Sequence, residues 1–228
     1  MTMNRFMAAI IKLVLIITLA VFTSGAGLFS SKNDDIATDK SIKNTKQWAN
    51  IDGFRSAKFG MKMKEVKGSI LKDFGIFDSK IDTISHPTEQ TQSLGITIDK
   101  LLPNSGKSRV VYVFGYKSKR LMQVNILTGH PVDTDVTPQQ VVDAGNLLGS
   151  HFFKKRYLED GLVAHARLND GSVLIFRGKD QTGRMALLRL SNPKPNQKKD
   201  DTLKISLTLS YIEKPEQPDA FQLKENDF

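Results

Sequence analysis

The feature that most constrains this fold is an alternation, made twice, of one helix-like stretch with several strand-like stretches. Apolar residues recur at helical spacing over residues 63–74, and Gly75 follows as a stop signal. Thr137 is followed at once by proline and, three residues on, by glutamine, which is the start signal of a capped helix. The spacing therefore predicts one helix that ends near Gly75 and a second that runs from Thr137 to about Tyr157.

Each predicted helix is followed by four strand-like stretches. The first set is 80–84, 94–98, 110–116 and 121–128, and the second set is 162–168, 172–177, 184–191 and 203–212. Helices that pack on antiparallel strands are typical of the α+β class. We therefore predict an α+β fold of two helix-plus-antiparallel-strand units, with a tandem repeat as a hypothesis. Whether the two units share one sheet stays open at this point.

The N-terminus has the pattern of a secretory signal peptide. Arg5 and Lys12 precede an apolar run over residues 13–22, and small residues follow it. The run is shorter than the about 20 residues that span a bilayer, and it fits the apolar core of a signal peptide. We expect cleavage after Ala26 and a periplasmic or secreted protein. The alternative is an inner-membrane anchor formed by residues 8–29.

Composition divides the rest of the chain. Residues 30–50 are polar and predict a flexible tether over 27–50, and residues 213–228 contain two prolines and predict a disordered tail. The predicted organisation is a signal peptide at 1–26, the tether, a first unit at 51–132, a second unit at 133–212, and the tail.

The absence of cysteine and the positive charge limit the possible functions. Without cysteine, the chain has no disulfides and no lipid anchor on a processed cysteine, so a packed core must hold the fold. The formal charge of the whole chain is +9, and removal of residues 1–26 takes away two bases and no acid. A basic exported protein can contact an envelope protein or an anionic surface, and nucleic acid is not expected there. Membrane contact is expected only if the N-terminus is uncleaved. The oligomeric state stays open.

One short string resembles known families. Residues 59–66 read Phe-Gly-Met-Lys-Met-Lys-Glu-Val, which resembles the strand-to-helix start of the outer-membrane assembly lipoproteins of the SmpA/BamE type. The two-unit arrangement also looks like the β-lactamase inhibitory protein fold. The start of the domain, at 53–61, is similar to that of a class of exported proteobacterial proteins. These resemblances imply a tandem fold and an envelope location, and they carry over no functional residue.

No catalytic or metal motif stands out. The four histidines lack ligand spacing, and there is neither a Gly-x-Ser-x-Gly elbow nor a phosphate-binding glycine loop. Asp133 and Asp135 could contribute to a calcium site, but their place before the second helix is explained more simply by the helix dipole. We therefore predict no cofactor and no metal.

Two basic clusters remain as candidate binding residues. They are Tyr116, Lys117, Lys119 and Arg120 in a hairpin loop, and Lys154, Lys155 and Arg156 after the second helix. The hairpin cluster could be a solvated loop, and the second cluster could simply complement the helix dipole. The functional prediction is a non-catalytic binding or assembly module of the cell envelope that contacts a protein partner or an anionic surface. The alternative is a periplasmic hydrolase without a recognisable motif.

Overall fold

The computed structural model describes residues 46–191 and 204–223, and its main element is one antiparallel sheet of eight strands. A two-stranded sheet of β1 (Gly53–Phe54) and β2 (Ala57–Lys58) precedes it. The large sheet consists of β3 (Asp82–Ser85), β4 (Gln92–Ile98), β5 (Ser108–Phe114), β6 (Leu121–Gly129), β7 (Val163–Arg167), β8 (Val173–Lys179), β9 (Met185–Ser191) and β10 (Ser206–Ile212). Its spatial order is β3-β4-β5-β6-β10-β9-β8-β7. The predicted signal peptide and most of the tether lie outside the described residues.

The first helix, α1 (Met63–Phe74), confirms the prediction for residues 63–74. Its start is capped because the Glu65 carboxylate accepts the backbone N–H of Lys62 at 2.7 Å. Its end is set by Gly75, whose φ of 66° is the left-handed conformation that glycine adopts without strain. Val66 and Ile70 lie one turn apart and are fully buried, so this stripe attaches the helix to the core.

The second helix, α2 (Pro138–Phe152), begins where the sequence predicts it. Thr137 Oγ1 accepts the N–H of Gln140 at 3.3 Å, and Gln140 Oε1 accepts the N–H of Thr137 at 2.9 Å, which closes the capping box. The predicted end near Tyr157 is wrong. The helix stops at Phe152 because the chain then pairs with an earlier segment: Arg156 donates its N–H to the carbonyl of Gln47 at 2.9 Å.

Both helices pack on the same face of the large sheet and enclose a single main core. The strand residues of this core alternate along β5, as Val110, Tyr112 and Phe114, whereas an irregularity in β8 brings the adjacent residues Ile175 and Phe176 into the same core. The buried side chains of α1 and α2 belong to the same cluster. The core residues below 1% exposure are Ala57, Val66, Ile70, Leu94, Ile96, Val110, Tyr112, Leu121, Val124, Phe176, Ala186 and Leu188.

The opposite face of the sheet carries two smaller apolar clusters on either side of a polar centre. In that centre, Gln123 Nε2 and Ser210 Oγ both donate to Asn125 Oδ1, at 2.8 and 2.7 Å. The side chains of Val111 and Leu187, one from each cluster, are at most 5% exposed. Because these side chains are buried, they are not open to a partner.

The predicted fold class is wrong. The strands do not form two helix-plus-antiparallel-strand units, because β6 and β10 pair over seven residues, from Gly129–Ser206 to Gln123–Ile212. This pairing joins all eight long strands into one sheet that dominates the molecule and is accompanied by only two described helices. The hypothesis of a tandem repeat is therefore also wrong. Local patterns cannot show this pairing, since the two strands lie far apart in the sequence.

Candidate binding surface

The hairpin between β5 and β6 has a tight tip at residues 115–120. The Gly115 N–H donates to the Arg120 carbonyl at 2.9 Å, and the Lys119 N–H donates to the Gly115 carbonyl at 3.1 Å. Lys119 has a φ of 54°, a left-handed conformation that costs a residue with a side chain about 1–2 kcal/mol. A hydrogen bond from the Arg120 N–H to Ser118 Oγ at 3.2 Å supports the tip from within, and contacts from outside the hairpin can offset the remaining cost.

Asp219 supplies that support from the C-terminal segment. Its carboxylate accepts the backbone N–H groups of Lys117 and Ser118 at 2.9 and 2.8 Å, and its carbonyl accepts the N–H of Tyr116 at 2.7 Å. The Phe221 ring lies edge-on to the Tyr116 ring, with centroids 5.6 Å apart. Burial opposes the ionisation of Asp219, but the hydrogen bonds from Lys117 and Ser118 outweigh it and lower the pKa of the carboxyl group.

Four exposed cations surround this tip, and we call them the basic surface: Lys62, Lys117, Lys119 and Arg120. Lys62 joins them through a bridge between its backbone and that of Arg120. Arg120 Nη1 donates to the Gly60 carbonyl at 3.0 Å, and Lys119 Nζ lies 5.3 Å from the centre of the Tyr116 ring. Over residues 46–191 and 204–223, none of the four forms an ion pair. Their side chains are therefore open to a ligand, although the carboxylate of Asp219 interacts with the charge of Lys117.

The second predicted cluster has structural contacts instead. Lys155 Nζ donates to Gln47 Oε1 at 2.9 Å, and the Arg156 guanidinium lies 4.3 Å from the centre of the Trp48 ring. The backbone of Arg156 also pairs with Gln47 and Ala49. Lys155 and Arg156 thus attach segment 46–49 to the end of α2, although Arg156 is exposed, as Lys154 is. No contact within the described ranges joins this cluster to the basic surface, and its binding role stays a prediction.

The candidate metal ligands do not come together in the part of the chain that the structure describes, where no group of three or more acidic or histidine side chains could hold an ion. Asp133 instead accepts the backbone N–H groups of Lys107 and Asp135 at 2.8 and 3.0 Å. These two hydrogen bonds lower the pKa of Asp133. Burial lowers the pKa of His130, and the nearby charge of Lys204 adds to this effect.

Two residues were not predicted from the sequence: Lys62, which belongs to the basic surface, and Asp219, which supports the hairpin tip. Lys62 is the N-cap residue of α1, and its bridge to Arg120 joins positions that are distant in the sequence. Asp219 lies in a stretch that composition marks as a tail, and no local motif links it to the hairpin. Either residue could have been identified only from evidence that distant parts of the chain are in contact.

Comparisons with protein-family models, with curated proteins and with solved structures found no match. The resemblance to the SmpA/BamE type and to the β-lactamase inhibitory protein fold therefore stays a sequence-based expectation. None of the helices within the described residues is long and apolar enough to cross a membrane. The functional conclusion rests on the geometry and charge of the surfaces themselves.

Proposed function

We propose that this protein is an exported, non-catalytic binding module of the cell envelope, and that its basic surface contacts an anionic surface such as phospholipid head groups. The observation that carries the proposal is the arrangement of Lys62, Lys117, Lys119 and Arg120. They are exposed, they have no ion-pair partner among the described residues, and they surround a hairpin tip that Asp219 holds in one conformation.

The lysines of this surface favour an extended anionic layer over a small anion. A lysine side chain carries a strongly hydrated point charge on a flexible stem, so it suits a ligand surface without fixed geometry. A basic residue close to an anionic membrane contributes about 1 kcal/mol to binding. Four such residues would give weak, salt-sensitive attachment. The signal-like residues 1–26 support the envelope as the place where this happens.

Vesicle binding tests the proposal. The protein without residues 1–26 is mixed with vesicles of phosphatidylcholine containing phosphatidylglycerol, and binding is measured by co-sedimentation at several salt concentrations. We compare a basic-surface variant (Lys62→Glu, Lys117→Glu, Lys119→Glu) with a control of equal charge change at exposed lysines elsewhere (Lys72→Glu, Lys80→Glu, Lys204→Glu). Arg120 is kept because it bonds the Gly60 carbonyl.

The basic-surface variant should bind at least about 100-fold more weakly, since three favourable charges of about 1 kcal/mol each are lost and reversed. The control should lose much less, and pure phosphatidylcholine vesicles should not bind. Equal losses of vesicle binding in the two variants would show that binding depends on the total charge of the protein and not on where the charges lie. If anionic vesicles do not bind while an envelope protein crosslinks at Lys117 or Lys119, the ligand of this surface is a protein, and the lipid proposal is wrong.

A further inference from the structure

A groove of opposite charge lies at the other end of β5 and β6. It consists of two adjoining clefts of about 750 and 260 Å³ between the loop that joins β4 to β5 and the first turns of α2. The two clefts share Pro103, Asn104 and Gln140. One wall of the groove is formed by α2. Gln140, Asp143 and Leu147 are spaced so that they lie on the same side of this helix.

The groove combines apolar lining with an acidic rim. Leu101, Leu102 and Val136 are half-buried in the larger cleft, and Leu147 is 50% exposed in the smaller one. The acidic residues that line the two clefts are Asp99, Asp133, Asp135 and Asp143. Lys100 is the single basic residue among the described residues that line them. The groove is therefore acidic in a chain whose formal charge is +9.

The helix dipole accounts for only part of this acidity. Asp133 and Asp135 precede α2, where a negative charge is favourable. Asp99 lies on the opposite wall, in the loop after β4, and Asp143 lies beyond the first turn of α2, where the effect of the dipole has faded. Leu147, which is 50% exposed, lines the smaller cleft together with Asp143, and Asp99 lines the larger cleft. The combination is suited to a ligand with both apolar and cationic groups.

We propose that this groove binds a basic amphipathic segment of a protein partner, which inserts an apolar side chain beside Leu147 and places lysine or arginine side chains on the rim. Charge complementarity decides the class of partner. An anionic membrane would be repelled by the rim, whereas a helix with one apolar and one basic face matches both the lining and the charge. This surface is separate from the basic surface, so it can bind whether or not the protein contacts lipid.

A labelled amphipathic peptide of leucine and lysine is the probe, and a leucine–glutamate peptide of the same pattern is its counterpart. Binding is measured by fluorescence anisotropy at about 0.15 M salt, and amide chemical-shift changes locate the site. The groove variant is Asp99→Asn, Asp135→Asn and Asp143→Asn, and the control variant is Asp78→Asn, Glu159→Gln and Asp160→Asn. Asp133 is kept because its carboxylate holds the backbone of the loop.

The wild-type protein should bind the lysine peptide and not the glutamate peptide, with shift changes at Asn104 and Leu147. The groove variant should bind at least about tenfold more weakly, as expected for three rim charges of up to about 1 kcal/mol each, and the control should stay within about twofold. Leu147→Ser, a change at an exposed position, should weaken binding severalfold without affecting the fold.

Three results would overturn the inference. The first is equal binding of the lysine peptide by the groove and control variants, and the second is a shift map that lies elsewhere. The third is self-association of the wild-type protein that the groove variant abolishes, because a second copy of the chain would then fill the groove. Vesicle binding through the basic surface can succeed or fail independently of all three.

Discussion

The two ends of strands β5 and β6 carry surfaces of opposite charge. At the hairpin end, four exposed cations surround the tip. At the other end, four aspartates and one lysine line a groove together with apolar side chains. The seven residues of β5 separate the two ends by about 20 Å. The overall charge of +9 predicts contact with anions, but it gives no indication of the acidic groove. The positions of the charges are therefore more informative than the net charge.

The two ends nevertheless use the same structural device. At each end, one aspartate accepts two backbone N–H groups and thereby orders a loop: Asp219 holds Lys117 and Ser118, and Asp133 holds Lys107 and Asp135. Hydrogen bonds to the ionised form stabilise it, so both carboxyl groups have a lowered pKa. The difference between the ends therefore comes from the side chains that the ordered loops present.

The largest effect is expected from Asp219→Ala, which removes the support of the hairpin end. Two backbone N–H groups lose a charged acceptor, and hydrogen bonds to charged groups contribute about 1.5–3 kcal/mol each when well formed. Because the site is partly exposed, we expect a loss of about 2–3 kcal/mol in the free energy of unfolding, measured by urea denaturation. Glu216→Ala, which removes an exposed partner of Lys179, is the control and should cost less than about 1 kcal/mol. Equal losses would show that Asp219 does not hold the tip.

A smaller effect should follow from pH. A carboxyl group whose pKa is lower in the folded state stabilises the fold above its ordinary pKa of 3.8, and this contribution is lost as the pH falls through the folded-state value. The stability difference between the wild type and Asp219→Asn should therefore be constant near neutral pH and shrink below about pH 4. Urea denaturation across this range measures it. A difference that does not change with pH would mean that the charge of Asp219 has no part in ordering the hairpin.

The features that the sequence predicts correctly are those with a local cause. The capping box at Thr137 and the stop at Gly75 define one end of each helix within a few residues, and β-branched runs locate strands such as β5 and β6. The hairpin tip follows from the same local pattern. These features depend on contacts between residues that are close in the sequence, and the structure changes their bounds only slightly.

The features that it does not predict depend on pairing between distant residues. The pairing of β6 with β10 turns two expected units into one sheet. The pairing of segment 46–49 with Arg156 ends α2 early and gives Lys155 and Arg156 structural contacts. The acidic groove is missed for the same reason, because Asp99 and Asp143 lie on separate elements that only the fold brings to one cleft.

The smallest effect is expected when the charge of one end is changed and binding at the other end is measured. Neutralising Asp99, Asp135 and Asp143 in the groove should change vesicle binding through the basic surface by less than about twofold at 0.15 M salt. The reason is that the separation of about 20 Å exceeds the Debye length of about 8 Å.

At about 0.01 M salt the Debye length rises to about 30 Å, and removing three negative charges should then strengthen vesicle binding severalfold. Co-sedimentation of the groove variant and of the control variant at both salt concentrations measures this. The control variant removes equal charge elsewhere and separates a local effect from one of net charge. A large effect of the groove variant at 0.15 M salt would contradict the separation of the two surfaces, because a screened field cannot carry it over that distance. The two ends would then have to act on the membrane as a single binding face.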